Sequence, residues 1–162
     1  MTNKTLNYAT DLYRVSPQFL NKYPAAQYPE ILRKAARPYN CLLIDLYDNF
    51  FICVPYRSNI THNNAYKFKN SNRSQTSPSG LDYQKMLIIE KSSYLDDRGG
   101  VVVDQDEYNE TKANMDTIVS DAVDYLQKYI DHITGKRPLH PRDYDRRYKY
   151  STLPYFHDIL NI

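Results

Sequence analysis

The sequence contains no tryptophan, only four glycines and two cysteines, and no apolar run that approaches the ~20 residues needed to cross a bilayer. Each shortage removes a class of function. Gly80, Gly99, Gly100 and Gly135 cannot assemble a glycine-rich phosphate loop, and no Gly-x-Ser-x-Gly elbow is present. Cys41 and Cys53 have no histidines at ligand spacing, so they make no zinc site. Of the carboxylate pairs that could chelate Mg²⁺, Asp96-Asp97 and Asp104-Gln105-Asp106, the second is explained by helix capping. No metal and no cofactor are expected. The start, Met1-Thr2-Asn3-Lys4-Thr5, lacks the apolar core of a signal peptide, which predicts a cytoplasmic protein with no membrane partner. In a reducing cytosol the two cysteines, on facing strands of one hairpin, fit as small buried hydrophobes better than as a disulfide.

What is there is tyrosine and segregated charge. Seventeen Tyr stand beside five Phe in a chain of 162 residues, one ordinary domain spanning 1–162. Tyrosine stacks on bases and donates a hydroxyl, which suits single-stranded nucleic acid. The same residues also serve as half-buried packing groups with wet tips. The formal net charge is only +2, but its distribution is uneven. From Asp104 to Asp131 there are Asp104, Asp106, Glu107, Glu110, Asp116, Asp121, Asp124 and Asp131 against Lys112 and Lys128. From Arg57 to Lys91 the balance reverses, with Arg57, Lys67, Lys69, Arg73, Lys85 and Lys91 against Asp82 and Glu90. The tail adds Lys136, Arg137, Arg142, Arg146, Arg147 and Lys149. Such segregation is the footprint of a polyanion binder, and equally of solvated faces.

Periodicity predicts the elements. Leu12-Tyr13-Arg14-Val15 alternates as a strand, and Ser16-Pro17 caps and opens a short helix to about Lys22. Pro29 opens a second helix, Glu30 to Ala36, ended by Arg37-Pro38. Cys41 to Ile44 and Phe50 to Val54 flank Tyr47-Asp48-Asn49 as an antiparallel hairpin, with the second strand stopping at Pro55. Asn70 to Gly80 reads as a mobile polar loop. Met86 to Ile89 and Val101 to Val103 are further strands, the latter after an Arg98-Gly99-Gly100 turn. One long helix runs from about Gln105 to Thr134, opened by an Asp104/Glu107 capping box and carrying an apolar stripe from Met115 to Ile133. The basic, tyrosine-rich run Pro141 to Tyr150 reads as an extended arm, and a last short helix covers Pro154 to Leu160. The expected class is α+β: a small, barrel-like, mostly antiparallel sheet with surrounding helices.

The stretch from Asn49 to Lys69 carries the chemistry. Its strand runs into Tyr56-Arg57-Ser58-Asn59-Ile60-Thr61-His62, delivering a cation, a hydroxyl and an imidazole from one loop at a sheet rim. RNA can be cut without a metal because its own 2′-hydroxyl attacks the neighbouring phosphate. The site needs a proton acceptor, a proton donor and cationic support for the phosphorane. Arg57, Ser58 and His62 supply these from one loop, and Arg37 reaches the same end of the sheet. Of the other histidines, His132 suits the end of the long helix, His157 suits the core, and His140 has no evident role.

With those residues placed, the chain resembles the type III toxin–antitoxin endoribonucleases, the ToxN/AbiQ group, and most closely their CptN/TenpN branch. The resemblance is carried by Leu12 to Ser16, Arg37 to Asp45, Phe51 to His62, Ser79-Gly80-Leu81-Asp82-Tyr83, Val103 to Tyr108, Tyr148 to Leu153 and Phe156 to Leu160. It implies a sheet similar to that of the MazF/Kid toxins and metal-independent cleavage leaving 2′,3′-cyclic phosphate and 5′-hydroxyl ends. It also implies a pseudoknot-repeat RNA antitoxin as inhibitor, a closed toxin–RNA multimer, trimming of the antitoxin precursor and a role in phage defence. Pro55-Tyr56-Arg57-Ser58 matches the proline and serine of the group's Pro-x-Thr-Ser-Pro-Lys type loop, with Arg57 in the threonine place and no lysine following at once. Arg37 corresponds to the basic residue before the first hairpin strand. Since arginine is a poor proton donor, His62 takes the acid's place.

The expected assignments are then Ser58 and Arg57 on the scissile phosphate, His62 exchanging protons and Arg37 supporting the phosphate. Tyr13, Tyr39 and Tyr56 are stacking platforms, and Lys67, Lys69, Arg73, Arg146, Arg147 and Lys149 contact the RNA backbone. A non-catalytic RNA-binding module with the same groove is the alternative, and a protein-interaction domain using its acidic helix is a third reading.

Overall fold

The computed structural model describes residues 12–34, 37–96 and 103–162. Along the chain lie β1 (Leu12–Val15), α1 (Pro17–Lys22), β2 (Arg33–Lys34), β3 (Arg37–Pro38), β4 (Cys41–Ile44), β5 (Phe51–Arg57), β6 (Ala65–Lys67), β7 (Gly80–Asp82), β8 (Leu87–Ile89) and β9 (Leu95–Asp96). Then come α2 (Gln105–Ala113), α3 (Met115–Ile133), α4 (Pro141–Tyr148) and α5 (His157–Leu160). The molecule is α+β, with a seven-stranded antiparallel sheet in the order β6-β7-β5-β4-β1-β9 and β8 as a second partner of β5. The path ends at β6 and β9, so among the described residues the sheet is open rather than a closed barrel.

Strand β5 organises this sheet. One edge pairs with β4 from Ile52 to Pro55, while Phe51 to Cys53 pair with β8, and Tyr56 and Arg57 pair with β7. Pro55, which has no N–H to donate, sits between the stretches that serve β8 and β7. The strand expected to stop at this proline therefore continues to Arg57. Its core is apolar throughout: Leu42, Ile44, Ile52, Val54, Ile88 and Ile89 are all buried. Cys41 and Cys53 are free, buried thiols; burial pushes the first up to about 12 and raises the second.

The expected long helix is two helices broken at Asn114. The Asn114 side-chain amide donates to the Glu110 carbonyl (2.8 Å), and this local bond competes with helix propagation. Helix α3 lays its stripe on the core through Met115, Ile118, Val119, Ala122, Tyr125, Leu126 and Tyr129. Helix α2 differs, because its buried residues are Glu107 and Thr111. The predicted capping box does not form: Asp104 makes no side-chain cap, and Glu107 turns inward instead.

Three further expectations are corrected. Arg33–Lys34 is extended and pairs with Arg37–Pro38, where a helix to Ala36 was predicted. The strongly polar run after Pro138 is helix α4, not an extended arm. Pro141 opens it, His140 Nδ1 accepts from Arg142 N–H (3.1 Å), and Tyr144 and Tyr148, four residues apart, pack together against Tyr129. The segment 70–80 is no loose loop but contains a 3-10 turn at Arg73–Gln75 fastened by α2. Ser16 opens α1 as expected, yet its hydroxyl donates to Ser93 O (2.9 Å) rather than capping. Val101, Val102 and the Arg98-Gly99-Gly100 turn lie outside the described residues. No described helix is long and apolar enough to cross a membrane.

Candidate functional site

Three strands assemble the site. Arg57 closes β5 in register with Gly80 of β7, and Ala65 opens β6 opposite Asp82. Residues two apart on a strand share a face, so Asp82 stands diagonal to Arg57 between β5 and the loop entering β6. Gly80 is required by close approach, since a Cβ there would lie 1.9 Å from the Tyr66 carbonyl oxygen of β6.

Asp82 has no solvent exposure, and a buried carboxylate needs partners. Its Oδ2 accepts from Arg57 Nη1 (2.9 Å) and lies 3.1 Å from His62 Nε2, while Oδ1 accepts from Gln84 N–H (3.0 Å). The Arg57 and His62 side chains keep 28% and 21% of their exposure, so both reach from the buried carboxylate to solvent. On the far side of the imidazole, Asn64 N–H donates to Nδ1 (3.0 Å). This network assigns the neutral tautomer with the proton on Nε2, facing Asp82, and the lone pair on Nδ1.

The loop that carries these groups is tied at both ends. Asn59 adopts a left-handed φ of 56°, which asparagine tolerates, and turns the chain after half-buried Ser58. Asn59 N–H donates to the Ser77 hydroxyl oxygen (3.1 Å), and Ile60 N–H donates to Pro78 O (2.9 Å). Asn64 O accepts from Tyr83 N–H (3.0 Å) and Gln84 N–H (3.3 Å). The Asn64 side chain donates to the carbonyls of Arg146 (3.2 Å) and Arg147 (3.5 Å) at the end of α4.

Behind the loop lies a second buried carboxylate. Glu107 accepts from the hydroxyls of Ser71 (3.0 Å) and Ser79 (2.7 Å) and pairs with Arg73. Glu110 takes the backbone N–H groups of Lys69 and Asn70 and the Tyr66 hydroxyl (2.9 Å), and Asp106 takes Asn72 N–H (2.8 Å). The acidic face of α2 is thus spent on holding residues 69–79, which in turn support Asn59 and Ile60.

Of the sequence-predicted residues, Arg57 and His62 meet at Asp82, with Ser58 adjacent to Arg57 in the chain. Arg37 lies on β3, and its side chain is outside what the structure describes. Tyr56 is no stacking platform: it is 5% exposed, stacks on Phe68 and shares a hydrogen bond with Thr111 (2.8 Å). Burial pushes its phenol up to about 12, against the opposing bond from Thr111. Tyr13 and Tyr39 are half-buried, and Tyr39 lines a small cavity with Cys41, Pro55 and Lys85. Arg73 is bound to Glu107, so it belongs to the clamp rather than to an open cationic surface. Lys67 is half-buried and Lys69 exposed, both beside the clamp. Arg146 is exposed and pairs with Asp143 (3.0 Å), Arg147 is half-buried, and exposed Lys149 sits over the Tyr150 ring.

No site role follows from the sequence alone for Asp82, Glu107, Glu110 or Asn64. The one local signal for Asp82 was a carboxylate closing the short Gly80-Leu81-Asp82 strand directly after a polar loop. No protein-family model, curated protein or solved structure matches the chain.

Proposed function

We propose that this protein is a metal-independent endoribonuclease, the toxin of a type III toxin–antitoxin pair acting in the cytoplasm and held inactive by a pseudoknot-repeat RNA. The observation that carries the reading is the convergence of Arg57 and His62 on buried Asp82 at the rim that also carries half-buried Ser58. The resemblance to the ToxN/AbiQ group falls on the same residues. On this reading the sheet, divided at β5 between two partners, is the curled, barrel-like sheet of the MazF/Kid toxins.

The chemistry follows from the ring. Asp82 holds the Nε2 proton and stabilises the imidazolium as it forms, the role of a carboxylate behind a catalytic histidine. Nδ1 is then the base. The substrate 2′-hydroxyl replaces Asn64 N–H at that lone pair, an exchange of one local hydrogen bond worth about 1 kcal/mol. Nδ1 takes the 2′-proton, the 2′-oxygen bonds to phosphorus, and the bond to the 5′-oxygen breaks, that oxygen taking a proton from water. Arg57 supports the phosphorane charge with the guanidinium edge that Asp82 leaves free, and Ser58 donates to a phosphate oxygen. Arg37 supports the phosphate, and Arg146, Arg147 and Lys149 hold the RNA backbone alongside.

The test is incubation of a defined single-stranded RNA with the protein in EDTA, followed by analysis of the ends. Cyclic phosphate and 5′-hydroxyl ends support the proposal. RNA that is bound but intact favours the second reading, a non-catalytic RNA-binding module. The specific observation on that side is that both His62 nitrogens are already engaged.

A further inference from the structure

We infer that Asn64 is the positioning residue for His62, selecting which ring nitrogen is left basic. An imidazole can address a carboxylate through either N–H, so Asp82 alone does not choose between two ring orientations. A donor on the other side does. Asn64 N–H, 3.0 Å from Nδ1, excludes a proton there and fixes the proton on Nε2, toward Asp82. Partners one step behind a reacting group set its tautomer in this way.

Asn64 can do this because its own position is fixed from three directions. Its carbonyl takes Tyr83 N–H and Gln84 N–H, the turn directly after Asp82. Its successor, Ala65, enters β6 opposite Asp82. Its side-chain amide reaches α4, where the last carbonyls of a helix have no partner within it. Arg146 O and Arg147 O are such groups, and Asn64 Nδ2 donates to both. The imidazole is therefore referenced to the sheet through Asp82 and to α4 through Asn64. Asn64 owes its catalytic meaning to the ribonuclease reading above, but the state of the ring can be read without any RNA.

The experiment is long-range ¹H–¹⁵N NMR of the His62 ring in the full chain, with RNA cleavage measured in parallel. Wild type should show a single tautomer, protonated at Nε2. Asn64→Ala, and the near-isosteric Asn64→Asp, which turns the donor amide into an acceptor against two carbonyls, should both show a population protonated at Nδ1. In both, kcat should fall with KM held. Tyr125→Phe is the structural control. Tyr125 donates to the same Arg147 carbonyl (2.8 Å), so its loss weakens the seating of α4 without touching Asn64. It should leave the single tautomer intact. A single Nε2 tautomer persisting in both Asn64 variants overturns the inference, as does an equal redistribution in Tyr125→Phe. If wild type leaves RNA uncut while the Asn64 variants redistribute the proton, the ribonuclease reading falls and the positioning role stands.

Discussion

Among the described residues two carboxylates, Asp82 and Glu107, have no exposure at all, and each is paired to an arginine. Their surroundings differ in one respect that decides their use. Glu107 is answered by Arg73 and the hydroxyls of Ser71 and Ser79, groups that hold a fixed shape and exchange no proton near neutrality. Asp82 is answered by Arg57 and by a histidine that reaches solvent. The same buried charge is a clamp in one place and the back of a reactive group in the other. The difference lies in the titratable partner, not in the carboxylate.

Removing the clamp should cost the most. Glu107→Ala strands the buried hydroxyls of Ser71 and Ser79, at about 1–3 kcal/mol each, and releases the partly exposed Arg73, to be read from urea unfolding midpoints. Gly80→Ala attacks both regions at once, since β7 connects Ser79 of the clamp to Asp82. A methyl aimed at the Tyr66 carbonyl should cost about 3 kcal/mol or more by the same measurement. His62→Ala should separate the regions: a stability loss of only about 1 kcal/mol, with cleavage falling roughly 10²–10⁴-fold.

Alkaline pH should loosen the clamp side. Burial and the Glu110 carboxylate push the Tyr66 phenol from 10.0 up to about 12. A phenol that holds its proton in the fold but loses it when unfolded contributes stability that is full below pH 10.0 and lost as pH rises to about 12. Tyr66→Phe should flatten that fall in thermal melts recorded across this window. The smallest effect is expected at Arg146, exposed on α4: Arg146→Ala should leave stability unchanged and reduce the salt slope of RNA binding by about 0.7.

How much of this was legible in the sequence depended on whether the signal was local. The Cys41 to Val54 hairpin, α1 and the α3 stripe follow from alternation, proline placement and three- and four-residue spacing, and all of them form. The break at Asn114 turned on one side chain competing for the Glu110 carbonyl, which periodicity does not register. Helix α4 was obscured by its charge, although Pro141 and the Tyr144/Tyr148 spacing were available. Arg57 and His62 were found because they share one loop. Asp82 escaped because its role exists only once β7 is seated between β5 and β6, a register no local pattern carries. Glu107 was misread because its spacing from Asp104 satisfies a capping rule that burial overrode.

The most direct measurement compares the two carboxylate sites in one cleavage experiment. Wild type, His62→Ala and Ser71→Ala are each incubated with the same single-stranded RNA in EDTA, and the product ends are identified. The expected result is cyclic phosphate ends from wild type and from Ser71→Ala, and their loss in His62→Ala with its fold intact. Cyclic phosphate ends persisting in His62→Ala, or RNA left uncut by wild type, would contradict a catalytic site at Asp82.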